Sequence, residues 1–170
     1  VRRVLGMCQY LSKFIKNYAE LSAPLSDLLS DGEKFVMTSV RLKSFESLKK
    51  AITEAPVLAL PDFSKRFIIR CDASDRAIGG SLNQVDDDGW RRPICFMGRK
   101  CRAAELNYGI RDKECLAMVY CLRKCREYIQ GKTDTVVCSD HKNLLFLKKA
   151  MPEDRRLFNA ACELSCIPFT

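Results

Sequence analysis

Three carboxylates stand at positions where a carboxylate is costly. Asp72 closes the run Phe67-Ile-Ile-Arg-Cys-Asp72, which reads as a buried strand, and Asp140 closes a second such run, Val136-Val-Cys-Ser-Asp140. Glu114 sits in Arg111-Asp-Lys-Glu114-Cys-Leu-Ala-Met, within a long and largely apolar helical stretch. Taking a carboxylate out of water is unfavourable unless positive charge compensates it. No cationic side chain recurs beside all three, so a bound divalent cation is the natural partner. Hard ions such as Mg²⁺ are held by carboxylate and phosphate oxygens. Two of them, roughly 3.5–4 Å apart, activate a water and stabilise the leaving oxygen of a phosphodiester. The pattern implies a metal-dependent nuclease site.

The elements that carry these residues follow from periodicity. Residues 1–55 read as helices: Val4, Met7, Cys8, Leu11, Phe14 and Ile15 recur at helical spacing. Ala23-Pro24 predicts the start of a second helix with Leu25, Leu28 and Leu29, closed by Asp31-Gly32. Thr38 or Ser39 caps a third, with Leu42, Phe45, Leu48 and Ile52 on one face and Pro56 as its stop. Beyond Pro61 the pattern becomes strand-like, over Phe67–Cys71, Ala77–Leu82 and Pro93–Met97, with a turn at Asp86-Asp-Asp-Gly89. One helix is expected from about Leu106 to Gln130, ended by Gly131, and a fourth strand over Thr135–Ser139. Helices over Leu144–Lys149 and Asp154–Glu163, and a fifth strand from Cys166, complete the expectation.

Such an order gives a mixed sheet covered by helices. Asp72 and Asp140 then lie at strand ends, where ligands gather in open sheets. Met118, Cys121 and Cys125 follow Glu114 at offsets of four, seven and eleven residues, so Glu114 shares the helix face turned to the sheet. Each acid alone has a structural explanation, as a turn cap or a partner of a nearby arginine. Their joint placement favours a site.

The chain of 170 residues carries 29 Lys and Arg against 21 Asp and Glu, a net charge of +8 that suits a polyanionic partner. No apolar run approaches the roughly 20 residues that span a bilayer, and no membrane partner is expected. The ten cysteines form no Cys-x-x-Cys pair, and one histidine cannot complete a zinc finger. Cys71, Cys95, Cys115, Cys121 and Cys138 lie in apolar runs and read as reduced core residues of an intracellular protein. His141, next to Asp140 on a strand end, should point away from it by alternation.

The strings themselves carry a resemblance. Asp72-Ala-Ser, Glu105-Leu-Asn107-Tyr108 with Asp112-Lys-Glu114-Cys-Leu-Ala, and Ser139-Asp140-His-Lys resemble the ribonuclease H region of Gypsy-type LTR-retrotransposon (Metaviridae) Pol polyproteins. Leu5-Gly6, Phe14-Ile15, Ala23-Pro24-Leu25 and Ala55-Pro-Val-Leu58 resemble the reverse-transcriptase thumb and the link leading out of it. The resemblance implies an α/β fold: a helical thumb-derived unit over 1–58, then a ribonuclease H-like, five-stranded mixed sheet with flanking helices over 59–170. It implies hydrolysis of the RNA strand of RNA–DNA hybrids with two Mg²⁺ (or Mn²⁺) ions, held by Asp72, Glu114 and Asp140. Ser74, Gly79, Arg99, Asn107 and Tyr108 match positions near the nucleic-acid groove, and Arg99, Lys100 and Arg102 are expected to contact phosphate. The remainder of the polyprotein is an implied partner, and the setting is a cytoplasmic virus-like particle or the nucleus.

The family's fourth carboxylate belongs to an Ala-Asp-Ala-Leu-Ser-like segment that these 170 residues do not contain. The chain starts at Val1, reads as a C-terminally shortened piece of a longer protein, and is expected to cleave hybrid weakly or not at all. A second reading is a catalytically inactive, domesticated or truncated ribonuclease H-like module that binds a host protein. A polymerase core is excluded for this stretch, since no Tyr-x-Asp-Asp string occurs.

Overall fold

The computed structural model describes residues 1–30, 32–54 and 58–139. Three helices come first. In α1 (Arg2–Tyr10), Leu5 and Cys8 turn inward, and a 3₁₀ turn over Ser12–Phe14 follows. Helix α2 spans Tyr18–Ser26, five residues earlier than the Ala23 start expected from Pro24. Tyr18, Ala19, Ser22, Ala23 and Leu25 are buried on it, and burial of that face holds the helix across the proline. Pro24 removes one donor close to the C-terminal end, so little of the hydrogen-bond ladder is lost. The chain then tightens into a 3₁₀ turn, Asp27–Leu29.

Helix α3 (Ser39–Thr53) starts as expected, with Thr38 accepting the Arg41 N–H at 3.4 Å. Its inward stripe differs. Ser44 and Leu48 are buried, Phe45 and Ile52 pack at the edge, and Leu42 is exposed. Ser44 donates to the Leu21 carbonyl of α2, which fixes that stripe against the second helix. Leu5, Cys8, Ile15, Tyr18, Leu25 and Leu48 form the core of this helical unit. The stop expected at Pro56 lies outside the described residues.

The strands are β1 (Ile68–Ala73), β2 (Ala77–Val85), β3 (Arg91–Lys100) and β4 (Val136–Cys138). The sheet order is β3-β2-β1-β4, antiparallel except for the parallel β1–β4 pair. Four strands are therefore described. The fifth, and the helices expected over 144–163, fall outside the described residues, as do Asp140 and His141. Ser74 closes the β1–β2 turn by accepting the Ala77 N–H at 3.1 Å. At the β2–β3 turn, the Asp86 carboxylate accepts the Trp90 N–H at 2.7 Å.

The single helix expected over 106–130 is three pieces: α4 (Ala103–Leu106), α5 (Ile110–Lys124) and α6 (Arg126–Ile129). The break at Asn107–Gly109 has a local cause. The Tyr108 N–H turns back to the Glu105 carbonyl, and Gly109 then begins α5 in an extended conformation. Helix α5 seals one face of the sheet, burying Cys115, Met118, Cys121 and Leu122 against Ile69 and Leu82. No helix among the described residues is long and apolar enough to cross a membrane.

The helical unit docks on the opposite face. Asp27 binds both Lys100, at the end of β3, and Arg76, in the β1–β2 turn, the latter at 2.5 Å. A Cβ placed on Gly98 of β3 would lie 3.5 Å from the Ala19 Cβ of α2, so the helix approaches the strand to within about one methyl group there.

Candidate metal and nucleic-acid site

Alternation along β1 decides where its side chains go. Ile69 and Cys71 face α5, and Arg70 and Asp72 face the other way. Register then sets their neighbours. Asp72 lies opposite Gly79, which lies opposite Gly98; Arg70 lies opposite Ser81, which lies opposite Phe96. The glycines leave the backbone bare beside Asp72. A Cβ on Gly79 would come within 2.6 Å of the Met97 carbonyl oxygen, so packing itself demands glycine there. Asp72 is exposed, and its carboxylate makes no ion pair with a described residue.

Glu114 reaches the site from the other side of the sheet. It is only 4% exposed, in the second turn of α5, and its Oε2 accepts the Ser139 hydroxyl at 3.4 Å. Ser139 follows β4 and lines a hollow of about 480 Å³ that also has Asp72 on its wall. Ser139 thus bonds one acid and shares a hollow with the other. The expected third, Asp140, is its neighbour in sequence and lies outside the described residues. Among the described residues, no group of three or more His, Cys, Asp or Glu is placed to hold a metal ion.

The other expected site residues divide in two. Ser74 and Gly79 border a second, smaller depression that Asp72 shares with Asn17 and Glu20 of α2. Arg99 is on the α5 side. Its guanidinium takes both oxygens of Glu105, at 2.6 and 2.8 Å, and stacks 5.6 Å from the Tyr120 ring centroid. Asn107 is the exposed C-cap of α4, and Tyr108 is half-buried beside it. Lys100 is held by Asp27. Two of the cations expected to contact phosphate are therefore engaged within the protein.

Electrostatics follow these contacts. Hydrogen bonds from Arg99 hold the Glu105 carboxyl below its ordinary range against a smaller opposing effect of burial, and Glu105 raises Arg99 in return. Burial alone would push the Asp27 carboxyl up, but hydrogen bonds from Lys100 and Arg76 outweigh it and leave it lowered. Burial pushes the Cys115 thiol up to about 11, and Cys125 higher still.

Sequence reasoning passed over Arg70, Glu105 and Ser139. The signal for Arg70 was present: it stands two residues before Asp72 in an apolar strand, so both must share a face. Ser139 was visible inside the Ser-Asp-His string. Glu105 was read as a motif letter, although its carboxylate also accepts the Arg102 N–H at 2.7 Å and so starts α4.

Residues 37–137 match the family described as the RNase H-like domain found in reverse transcriptase. The chain belongs to that family. Over 160 residues, 92% of its length, this ribonuclease H-like chain is 34% identical to the Transposon Tf2-3 polyprotein of Schizosaccharomyces pombe, and equally to Tf2-4. It spans 12% of the length of those relatives. The resemblance to Gypsy-type retrotransposon polyproteins holds on these matches. Among solved structures, the foamy viral protease-reverse transcriptase in complex with dsDNA matches with a TM-score of 0.77 at 20% identity, over 99% of this chain and 36% of that one. The same enzyme in complex with RNA/DNA hybrid gives 0.73 at 20% identity, over 99% and 24%. These structural likenesses establish the ribonuclease H-like fold.

Proposed function

We propose that the chain is the ribonuclease H portion of a retrotransposon reverse transcriptase that hydrolyses the RNA strand of RNA–DNA hybrids with Mg²⁺ or Mn²⁺, the 170-residue piece alone cleaving weakly or not at all. The observation that carries this reading is the shared hollow: Asp72 lies on its wall, and Ser139 on the same wall hydrogen-bonds Glu114. The donors fit a hard cation, being carboxylate oxygens with a hydroxyl bonded to one of them. Asp72, Glu114 and Asp140 would hold the metal, which when bound supplies water activation and charge stabilisation at the phosphodiester.

The remaining work falls to the chain itself. The Ser139 hydroxyl fixes the orientation of Glu114, whose burial on α5 limits its rotamers. The Gly79 and Gly98 row beside Asp72 is met by Ala19 of α2, so a sugar–phosphate chain would reach Asp72 from the side of the hollow. Ser74, Gly79, Arg99, Asn107 and Tyr108 are assigned to the groove, where the 2′-hydroxyl marks RNA as both donor and acceptor. We assign residues 1–58 to the thumb-derived unit and 59–170 to the ribonuclease H-like domain. The eight free cysteines among the described residues suit a reducing compartment, a cytoplasmic particle or the nucleus.

Titration of Mn²⁺ against the wild type and Asp72→Asn tests the site. Weak binding by the wild type and none by the variant is expected, and equal binding by both would reject it. Hybrid cleavage in Mg²⁺ and Mn²⁺, with Asp140→Asn as the contamination control, tests the activity.

A further inference from the structure

The sheet face opposite α5 is covered unevenly. The row Asp72–Gly79–Gly98 meets α2 through Ala19, whereas the next row, Cys138–Arg70–Ser81–Phe96, opens into the hollow of about 480 Å³. Lys16 and Asn17 overhang that hollow from the helical unit, and Arg91 borders it from the start of β3. Asn17 has φ 56°, a left-handed conformation that asparagine tolerates, and the turn it makes sets the approach to α2.

Lys16, Arg70 and Arg91 ring the hollow, and none has a carboxylate partner among the described residues. Their neighbours are engaged: Arg92 pairs with Asp86, Arg76 and Lys100 with Asp27, and Arg99 with Glu105. Asp72 is the one carboxylate among the described lining residues. A cleft lined by one sign of charge focuses the field and concentrates counter-ions of the other sign. Phe96 lies half-buried on the floor and stacks on no described aromatic or cationic side chain.

The geometry points to a nucleotide subsite: one unpaired nucleotide of a polynucleotide, its base on Phe96 and its phosphates among Lys16, Arg70 and Arg91. The volume falls in the roughly 300–1,000 Å³ of small-ligand sites, which suits one nucleotide. The Asn83 amide N–H₂ is spent on the Ile68 and Ser81 carbonyls and the Ser81 hydroxyl, so Asn83 offers a base no free donor. Stacking on an aromatic face is tolerant of sequence. The inference rests on the nuclease reading for the kind of polyanion, and the subsite occupies the part of the hollow lined by Lys16, Arg70, Arg91 and Phe96, with Asp72 on the same wall.

The test uses the 170-residue chain in EDTA with a fluorescent single-stranded oligonucleotide, competed by adenosine monophosphate or inorganic phosphate. Each of Lys16→Gln, Arg70→Gln and Arg91→Gln is expected to weaken binding roughly three- to tenfold and lower the salt slope by about one. Phe96→Leu is expected to weaken it by about fivefold or more with the salt slope unchanged. Adenosine monophosphate should compete better than inorganic phosphate. These cations are exposed, so unchanged circular dichroism and thermal midpoints show that the variants still fold. Oligonucleotide affinity and salt slope unaltered in the triple variant would overturn the subsite. So would a wild type that takes Mn²⁺ at Asp72 but binds no oligonucleotide, an outcome that leaves the metal site standing. Conversely, loss of Mn²⁺ binding with nucleotide binding retained refutes the metal site alone.

Discussion

On the α5 side of the sheet, Ile69, Ile78 and Leu82 are almost fully buried among thiols and aliphatic side chains. On the other side β1, β2 and β3 present Arg70, Asp72, Ser81 and two glycines. The difference follows from what each face meets. Where α5 seals the sheet, Arg99 is neutralised on the spot by Glu105. Where the helical unit touches one row and leaves the next open, Arg70 keeps its charge for solvent or for a ligand. Glu114 and Asp72 show the same division, one packed on the sealed side and one exposed on the open side. In an α/β sheet, then, the residues that alternate with the core carry the functional information.

The largest expected effect comes from breaking the sealed face. Leu82→Ala should cost about 2–5 kcal/mol, through lost transfer energy and the cavity left behind. Ser81→Ala, one residue away on the open face, should cost under about 1 kcal/mol. Its hydroxyl accepts one Asn83 N–H, and the Asn83 amide keeps two carbonyl partners. Urea unfolding of the pair measures the contrast, and equal midpoints would mean that the two faces have been exchanged.

Gly80→Ala should come next, at roughly 1–3 kcal/mol of overpacking. The added methyl would meet the Arg70 carbonyl oxygen and lie 2.7 Å from the Cys121 Sγ. A thiol can turn aside, but a carbonyl paired within the sheet cannot. Because the clash joins β1, β2 and α5, the variant should lose cooperativity as well as midpoint. A variant as stable as the wild type would show that α5 sits farther from β2 than its contacts indicate.

Much of this was legible in the sequence, and what was not has identifiable causes. Strand identity and the turn at Asp86 follow from alternation and turn chemistry, which are local. The start of α2 was misplaced because Pro24 looks like a first-turn residue, while the burial that carries the helix back to Tyr18 depends on α3 and β3. The break between α4 and α5 was invisible to hydrophobic spacing, since Leu106 and Ile110 keep a helical interval across it. Asp72 and Glu114 were singled out from their type and setting, and the structure relates them only through Ser139, which hydrogen-bonds Glu114 and lines a hollow with Asp72. The engagement of Arg99 and Lys100 was not, because their partners, Glu105 and Asp27, are fixed by folding and not by periodicity.

A smaller effect should separate paired from unpaired charge. Glu105→Gln removes a bidentate partner from Arg99 and should cost about 1.5–3 kcal/mol, the usual scale for hydrogen bonds to charged groups. The Glu105 carboxyl is lowered in the folded protein. Its stabilisation is therefore complete above the unfolded value of about 4.3 and lost as pH falls through the lower folded value. In the wild type, stability should decline through that acidic window, and the Glu105→Gln variant should show a shallower decline. Identical pH dependence in both would mean that the pair does not form. Arg70→Gln should leave stability within about 0.5 kcal/mol, which is what an unengaged cation predicts.

The smallest effect concerns the seam between the helical unit and the open face. Asp27 is about a third exposed and paired with Arg76 and Lys100, so solvent screens it and Asp27→Asn should cost under about 1 kcal/mol of global stability. Its carboxyl is lowered in the folded protein. The clamp is thus fully present above the unfolded value of about 3.9 and released as pH falls through the folded one. Global unfolding is a poor probe for so small a term, but local opening is a sensitive one, because a docked surface can part without melting either core. Hydrogen exchange should therefore quicken at α2 and along β3 in Asp27→Asn, while the amides of α5, anchored on the sealed face, keep their protection. Faster exchange in α5 to the same degree would mean that the two faces share one cooperative unit, and that the seam at Ala19 and Gly98 is as much core as the packing around Leu82.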